Sequence, residues 1–206
     1  MKVDGVFAVI SRMRAVIDAQ KDFLTDLDNA IADGDHGINM AKGFAAVEQK
    51  LPQLADKDIG TAFKTVGMTL VSAVGGSAGP LYGTAFMKAG VVMAGKYEMD
   101  MADLLACLRA AIEGVMMRGK AVRGEKTMLD AMIPALEAME RASEEGLSAK
   151  EILASGVAAA ESGVEFTKSI AATKGRASYI GERSIGHQDP GATSFTFLLG
   201  EIAAAV

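Results

Sequence analysis

The chain has 206 residues, which suits one domain or at most two small ones, and half of them are apolar, so a sizeable core can be buried. The formal net charge of −5 offers no basic surface for nucleic acid or for an anionic membrane. Cys107 is the only cysteine, which excludes an intrachain disulfide, and no apolar run is long enough to span a membrane. We therefore expect a single cytoplasmic domain, residues 1–206, with no nucleic-acid or membrane partner.

Helical periodicity dominates the first half of the chain. The first predicted helix runs from about Asp4 to Ala32. The second begins near Gly37 and stops at Pro52, since proline cannot continue a helix. The third has an apolar face from Ile59 to Val74, and the fourth follows Pro80 and reaches Gly95. Thirteen methionines and few aromatic residues indicate that methionine side chains help to pack these helices.

Four further helices are predicted from residues that favour helix N-termini. These residues are Asp100, Thr127, Ser148 with Glu151, and Asp189 followed by Pro190. No run of residues shows strand alternation bounded by hairpin turns. Short connections favour antiparallel neighbours, so the sequence predicts an all-α fold of eight antiparallel amphipathic helices.

One predicted connection is long and irregular. Residues 172–190 contain Gly175, Gly181 and Gly186 with charged residues between them. A long loop in a compact domain is often functional, and a disordered surface excursion is the alternative. The sequence leaves both interpretations open.

Three aspartates cluster where the first predicted helix ends. Asp33 and Asp35 lie on either side of Gly34, which lets the backbone fold so that both carboxylates converge. Asp28 lies five residues before Asp33 and can reach the same point from the helix end. These anions repel one another and lie at the negative end of a helix dipole, so the arrangement favours a cation. A solvated acidic turn with Asp35 as a helix cap is the alternative.

The ligand chemistry of this cluster favours magnesium. Carboxylate oxygens select hard cations, and a small number of them suits Mg²⁺, which completes its shell with water and phosphate. A calcium loop counted from Asp33 would need glutamate where Phe44 stands. Zinc is disfavoured because the histidines and Cys107 lack ligand spacing.

Two glycine-bearing turns are candidates for phosphate contacts. Residues 75–80 read Gly-Gly-Ser-Ala-Gly-Pro and join two predicted helices, where glycines allow a close backbone approach to an anion. Residues 119–127 come near a Walker A loop, but Glu125 separates Gly124 from Lys126 and no strand precedes them. A plain helix–helix turn is the alternative for each.

Taken together, these segments resemble one family, the L subunit of dihydroxyacetone kinase. The matching motifs, in order, are Asp28-x4-Asp33-Gly34-Asp35-His36-Gly37-x-Asn39, Gly75-Gly76-Ser77-Ala78-Gly79-Pro80-Leu81-Tyr82-Gly83, Gly124-x-Lys126-Thr127-Met128-x-Asp130, Gly175-Arg176-Ala177-Ser178-Tyr179 and Asp189-Pro190-Gly191-Ala192. The match spans nearly the whole chain. It implies a barrel of eight antiparallel helices with a nucleotide at one end.

The resemblance also implies which residues form the site. Asp28, Asp33 and Asp35 would bind two Mg²⁺ ions that bridge the phosphates of ADP or ATP. Arg176 would act in catalysis by stabilising the transferred phosphoryl group. The implied nucleotide contacts are His36, Gly37, Ile38, Asn39, Gly76, Ser77, Ala78, Gly119, Thr127, Met128, Arg176, Asp189, Pro190 and Gly191.

A division of labour between subunits follows from the same resemblance. A separate K subunit would hold dihydroxyacetone, and a phosphohistidine on an M subunit would recharge ADP to ATP. Use of free ATP, or of a related hydroxyketone such as a tetrulose, remains open. An ADP/ATP-state sensor that docks a transcriptional regulator is a second interpretation, and a helical bundle with acidic turns is a third.

Overall fold

The computed structural model describes residues 1–206, and the chain is all-helical, as predicted. It contains nine α-helices and three short 3₁₀ turns, and its only strand-like pairing is an isolated bridge between Lys2 and Glu98. None of the helices combines the length and the apolar character needed to cross a membrane. The α-helices are α1 (Val3–Ala19), α2 (Lys21–Ile31), α3 (His36–Glu48), α4 (Ile59–Ala73), α5 (Ala78–Val92), α6 (Met101–Gly119), α7 (Leu129–Glu144), α8 (Ala149–Lys168) and α9 (Pro190–Ala203).

The count of nine, where eight were predicted, comes from the first predicted helix. It is interrupted at Gln20, so that α1 and α2 are separate. Gln20 leaves helical geometry, with φ −99° and ψ 7°, while its carbonyl already accepts the first hydrogen bond of α2 from Leu24 N at 2.9 Å. Apolar periodicity continues through this break, which is why the pattern alone predicted one helix. The barrel arrangement and the single domain stay predictions from the sequence.

The chain divides into two compact units. Unit 1 comprises residues 1–18 and 39–120, and unit 2 comprises residues 19–38 and 121–206. Within unit 1, α4 and α5 pack with their backbones in contact. A Cβ atom on Gly67 would lie 2.6 Å from Gly83 O, and one on Gly90 would lie 2.8 Å from Gly60 O. Glycine is required at these crossings because any side chain would collide with a backbone carbonyl.

Unit 2 is built around the pair α7 and α8, with α9 packed against both. Met132 and Met139 of α7 are buried with Leu153 of α8, which confirms that methionine fills part of the core. A Cβ on Gly163 of α8 would lie 2.0 Å from Asp130 O, so α8 approaches the start of α7 at backbone distance.

The predicted helix starts were confirmed at three of four caps. Asp100 and Ser148 each form a capping box with the residue three positions later, and Asp189 accepts a hydrogen bond from Ala192 N at 2.7 Å. The prediction that Thr127 caps α7 is wrong. The N-cap is Met128, because the Asp130 carboxylate accepts the Thr127 N–H at 2.9 Å and holds Thr127 in the preceding turn.

The close α4–α5 crossing predicts a specific sensitivity to substitution. Gly67→Ala would place a methyl group against Gly83 O, so we expect it to lower the free energy of unfolding by about 1–3 kcal/mol. Gly5→Ala in α1 is the matched control, since its new methyl group meets only the flexible Met1 side chain. Urea unfolding of both variants measures the difference, and equal stability of the two would contradict the backbone contact.

Candidate functional site

The three predicted metal ligands converge in unit 2. One carboxylate oxygen from each of Asp28, Asp33 and Asp35 lies within 4.8 Å of the others. Asp28 is buried in the last turn of α2, Asp33 is exposed and Asp35 is partly buried. Only oxygen ligands are present, which matches the preference of Mg²⁺. The geometry therefore agrees with the sequence prediction that these side chains meet at one point.

The turn between α2 and α3 produces this convergence. Gly34 has φ +73°, and a Cβ there would lie 1.8 Å from Asn29 Oδ1, so only glycine fits. The Asp28 Oδ2 atom accepts hydrogen bonds from the backbone N–H groups of Asp35, at 2.9 Å, and His36, at 3.1 Å. These amides belong to the N-terminal end of α3, where positive dipole charge stabilises a carboxylate.

Arg176 reaches the same cluster from a distant part of the chain. Its guanidinium Nη1 donates a hydrogen bond to Asp33 Oδ2 and forms an ion pair with it. Arg176 begins a short 3₁₀ turn, Arg176–Tyr179, and follows Gly175, which has φ +65°. The structure thus brings the predicted catalytic arginine to a predicted metal ligand 143 residues away.

The segment between α8 and α9, residues 169–188, is ordered, and we call it the Arg176 segment. Its own small core consists of Ala172 and Ala177 packed with Ile31 of α2 and the partly buried Ile180. Ser184 Oγ, which is fully buried, accepts a hydrogen bond from Ala172 N at 2.8 Å. The segment therefore has its own apolar contacts and hydrogen bonds, which favours the interpretation of a packed loop over that of a disordered excursion.

His36 is the first residue of α3, and its ring is oriented by α9. Its Nε2 atom is 2.9 Å from Ser194 Oγ, and Ser194 Oγ in turn donates to Gly191 O at 3.1 Å. Burial lowers the pKa of the His36 imidazole from 6.5 to about 4, against the smaller opposing effect of the Asp28 carboxylate. His36 is therefore a neutral hydrogen-bonding group at physiological pH.

Gly37 has a structural role in the packing of α2 and α3. A Cβ at Gly37 would lie 2.0 Å from Lys21 O and 2.6 Å from Thr25 Oγ1. The first turn of α3 thus passes α2 at backbone distance. Ile38, the next residue, is exposed.

Asp189, Gly191 and Met128 form a second group of predicted nucleotide-contact residues in unit 2. A Cβ on Gly191 would lie 3.0 Å from Asp189 Oδ2 and 3.4 Å from Met128 Cβ. Asp189, Pro190 and Met128 are buried. Burial raises the pKa of the Asp189 carboxyl from 3.8 to about 7. The carboxylate caps α9 through Ala192 N, so a helix cap accounts for this residue without a ligand.

Thr127 lies in unit 2, and the other predicted contacts, Asn39, Gly76, Ser77, Ala78 and Gly119, lie in unit 1. Gly76 has φ +64°, and Gly76 and Ser77 are exposed in the turn before Ala78, the first residue of α5. Asn39 packs against this turn, since a Cβ on Gly75 would lie 3.0 Å from Asn39 Nδ2. Gly119 is exposed at the end of α6. Two predicted contact segments, the one with Asn39 and the glycine turn, are therefore in contact within unit 1.

Lys126 is a residue whose position the sequence did not reveal. Its side chain is 1% exposed, and its Nζ atom donates hydrogen bonds to the carbonyls of Thr167, Ile170 and His187. An ammonium group has three donors, and all of them are used here. Lys126 is thus unable to bind phosphate in this structure, which removes the remaining similarity to a P-loop lysine.

Two further supporting residues also escaped the sequence prediction. Ser194 fixes the His36 ring, and Thr167 Oγ1 accepts the backbone N–H of Asp189 at 2.9 Å. Both are helical residues on apolar helices, so no local pattern distinguishes them from ordinary core positions. A cluster of polar residues within an apolar stretch, as in Thr193 and Ser194, is the one available signal.

Comparison with known proteins gives a consistent result. Residues 30–204 match the DAK2 domain family. The chain is 45% identical over 196 residues to the PEP-dependent dihydroxyacetone kinase, ADP-binding subunit DhaL, of Escherichia coli strain K12, covering 95% of this chain and 93% of that protein. It is 44% identical over 182 residues to the corresponding subunit of dihydroxyacetone kinase 1 of Listeria innocua, covering 88% and 86%.

A solved structure is similar along nearly the whole chain. The dihydroxyacetone kinase from C. freundii in complex with AMP-PNP and Mg²⁺ aligns with a TM-score of 0.73 and 25% identity. The alignment covers 98% of this chain and 34% of that one. The chain thus spans about a third of the solved kinase chain that it matches.

The raised pKa of Asp189 predicts how stability depends on pH. Between 3.8 and about 7 the folded chain retains the Asp189 proton that the unfolded chain releases, so this stabilisation is present at low pH and is lost as pH rises through 7. Asp189→Asn keeps a capping side chain that does not titrate. We therefore expect wild type to lose stability relative to Asp189→Asn from pH 4 to pH 8 in urea unfolding.

Asp58, which caps α4, is the matched control with the opposite sign. Hydrogen bonding, first of all from the Thr61 hydroxyl at 2.6 Å, lowers the Asp58 pKa from 3.8 to about 2. Its stabilisation is therefore present above pH 3.8 and is lost as pH falls through 2. Relative to Asp58→Asn, wild type should show no trend between pH 5 and pH 8, and a trend like that of Asp189 would contradict the assignment.

Proposed function

The chain belongs to the DAK2 domain family, and we propose that it is the ADP/ATP-binding subunit of a dihydroxyacetone kinase. The observation that carries this proposal is the meeting of Asp28, Asp33 and Asp35 at one point, within 4.8 Å. It is supported by the ADP-binding subunits to which the chain is similar along almost their whole length. Phosphoryl transfer depends mainly on positioning and on neutralising phosphate charge, and a carboxylate cluster serves both when it holds metal.

The three carboxylates would hold two Mg²⁺ ions between the protein and the phosphates of the nucleotide. Bound Mg²⁺ would supply positive charge to the phosphate oxygens, which a chain of net charge −5 needs in order to bind an anion. The donor set fits this ion because it contains oxygen atoms alone and leaves positions for phosphate and water. Asp28 is already oriented by two backbone amides, which lowers the cost of assembling the site.

Arg176 would stabilise the transferred phosphoryl group. Its planar guanidinium matches the geometry of phosphate oxygens, and its ion pair with Asp33 keeps it at the metal-binding cluster. In the transfer, the bond between the γ-phosphorus and the oxygen that bridges to the β-phosphorus of ATP would break, and ADP would leave. A bond would form from the γ-phosphorus to a hydroxyl oxygen of the triose, whose proton would pass to a base outside this chain. Arg176 would offset the charge that moves onto ADP.

The remaining predicted nucleotide-contact residues fall into two groups according to their solvent exposure. Ile38, Gly76 and Ser77 are exposed and are proposed as direct contacts, together with His36, Asn39, Ala78, Gly119, Thr127 and Gly191. Gly37, Met128, Asp189 and Pro190 are buried and would act by backbone placement and packing. His36 would contribute as a neutral donor or acceptor, because burial holds its pKa at about 4.

The triose would be held by a separate K subunit. The His36 ring is hydrogen-bonded to Ser194 and the Asp189 carboxylate caps α9, so neither group is free to take a proton from a hydroxyl group of the triose. A phosphohistidine on an M subunit would return the phosphoryl group to bound ADP. The K subunit would then determine which hydroxyketone is phosphorylated. We expect the reaction to take place in the cytoplasm.

Removing a proposed metal ligand should weaken nucleotide binding. We expect Asp33→Asn and Asp35→Asn to weaken Mg·ADP binding by at least about tenfold to a hundredfold, the range seen even for residues that only support a metal ligand. Asp22→Asn is the control, because Asp22 lies in the first turn of α2, outside the cluster, and its side chain is 92% exposed. Isothermal titration calorimetry measures the affinities, and equal losses in all three variants would refute a metal site at the cluster.

The division of labour predicts a dependence on partners. The purified chain with Mg·ATP should leave dihydroxyacetone unchanged, and phosphorylation should begin when a K subunit is added. Enzymatic assay of dihydroxyacetone phosphate follows the reaction. Phosphorylation of the triose by this chain alone would contradict the proposed role.

A further inference from the structure

Lys126 carries a buried positive charge that the proposed mechanism does not use. The residue is 1% exposed and has φ +60°, a left-handed conformation that is uncommon for lysine. Burial is the main influence on its ammonium group and lowers its pKa, while Asp189 and Asp130 act in the opposite direction. Burying a charge is unfavourable unless it is fully hydrogen-bonded, so the ammonium group depends on the carbonyl groups around it.

The three acceptors show which parts of the chain the Lys126 ammonium group connects. Thr167 O lies in the last turn of α8, Ile170 O lies at the start of the Arg176 segment, and His187 O lies at its end. One ammonium group therefore ties the two ends of the segment to each other and to the turn before α7. The closure is completed by Gly186 N, which donates to Lys168 O at 2.8 Å.

The position of the rest of the Arg176 segment depends on these hydrogen bonds at its two ends. Thr173 N donates to Glu125 O, the carbonyl next to Lys126, at 3.3 Å. Ala172 and Ala177 pack on Ile31 of α2, three residues after Asp28. With its ends fixed, the loop places Arg176 on Asp33. Opening the ends would release about twenty residues of backbone, whose conformational entropy opposes that placement.

We propose that Lys126 is a positioning residue for phosphoryl transfer, which closes the Arg176 segment and so holds Arg176 at the carboxylate cluster. The inference rests on the proposed function for the role of Arg176, but the closure itself is a property of the chain without ligand. Lys126 makes no contact with phosphate, because its three donors are occupied by carbonyls. Its effect on catalysis therefore passes through Arg176.

Hydrogen exchange tests the closure directly in the full chain. Lys126→Met keeps the apolar length of the side chain and removes the three donors. The amides of Ala172, Gly186 and Asp189, which are hydrogen-bonded in the closed segment, should exchange at least about tenfold faster. Lys120→Met is the matched control, since Lys120 also has positive φ, at 49°, but is exposed. Unchanged exchange at these amides in Lys126→Met would overturn the proposal.

A double-mutant cycle tests the link to Arg176. With the K subunit present, Arg176→Gln should lower kcat by about a hundredfold, the range for loss of one group that stabilises the transition state. Lys126→Met should lower kcat by about tenfold or more and should weaken Mg·ADP binding no more than Arg176→Gln does, since Lys126 acts on the site through Arg176. The double variant should match Arg176→Gln alone, because both changes remove the same interaction. Fully additive losses would overturn the positioning role.

Chemical rescue separates positioning from general stability. Lys126→Ala lacks the atoms of propylammonium, so added propylammonium should restore amide protection and at least part of kcat, whereas neutral propanol should not. Rescue by propanol, or no rescue of a folded variant, would overturn the proposal. Failure of both Lys126 variants to fold, judged by circular dichroism, would assign Lys126 to global stability and overturn it as well.

The two proposals fail in different ways. If wild type retains no Mg·ADP and supports no transfer, the proposed function is wrong, while the exchange experiment still decides whether Lys126 closes the segment. If wild type is active and Lys126→Met keeps normal amide protection and kcat, only the positioning role is wrong.

Discussion

The arrangement of unit 2 depends on balancing three carboxylates that meet within 4.8 Å. Like charges at this distance repel, and the fold must compensate for that repulsion before any ligand arrives. It does so with two kinds of positive charge. The backbone amides at the start of α3 stabilise Asp28, and the guanidinium of Arg176 pairs with Asp33. In the proposed function, a divalent cation would neutralise the charge that these two groups leave uncompensated.

Glycine and alanine residues let the backbone approach the carboxylate cluster closely enough to bring these charged groups together. Gly34 provides the left-handed turn that Asn29 encloses, and Gly37 lets α3 begin in contact with α2. Ala172 and Ala177 let the Arg176 segment lie on Ile31 at the end of α2. Each of these contacts brings a charged group to the cluster through the packing of uncharged neighbours.

Features that depend on neighbouring residues could be predicted from the sequence, whereas contacts between distant parts of the chain could not. Asp100, Ser148 and Asp189 were identified as caps because a cap depends on three neighbouring residues. The convergence of Asp33 and Asp35 followed from a single glycine between them. The break at Gln20 was missed because apolar spacing continues across it. The local sequence around Lys126 resembles a phosphate-binding turn, and no local pattern indicates its acceptors, which lie 41 to 61 residues later in the chain.

The different placement of the two cations follows from their chemistry. A lysine ammonium is compact and has three donors pointing in different directions, which suits three carbonyls converging on one buried point. An arginine guanidinium is planar, holds its charge under all conditions and matches paired oxygen atoms, which suits a carboxylate or a phosphate at an exposed site. Exchanging the two residues would leave the carbonyls poorly matched and the cluster without a planar donor. The buried cation therefore fixes the loop, and the exposed cation remains available to the ligand.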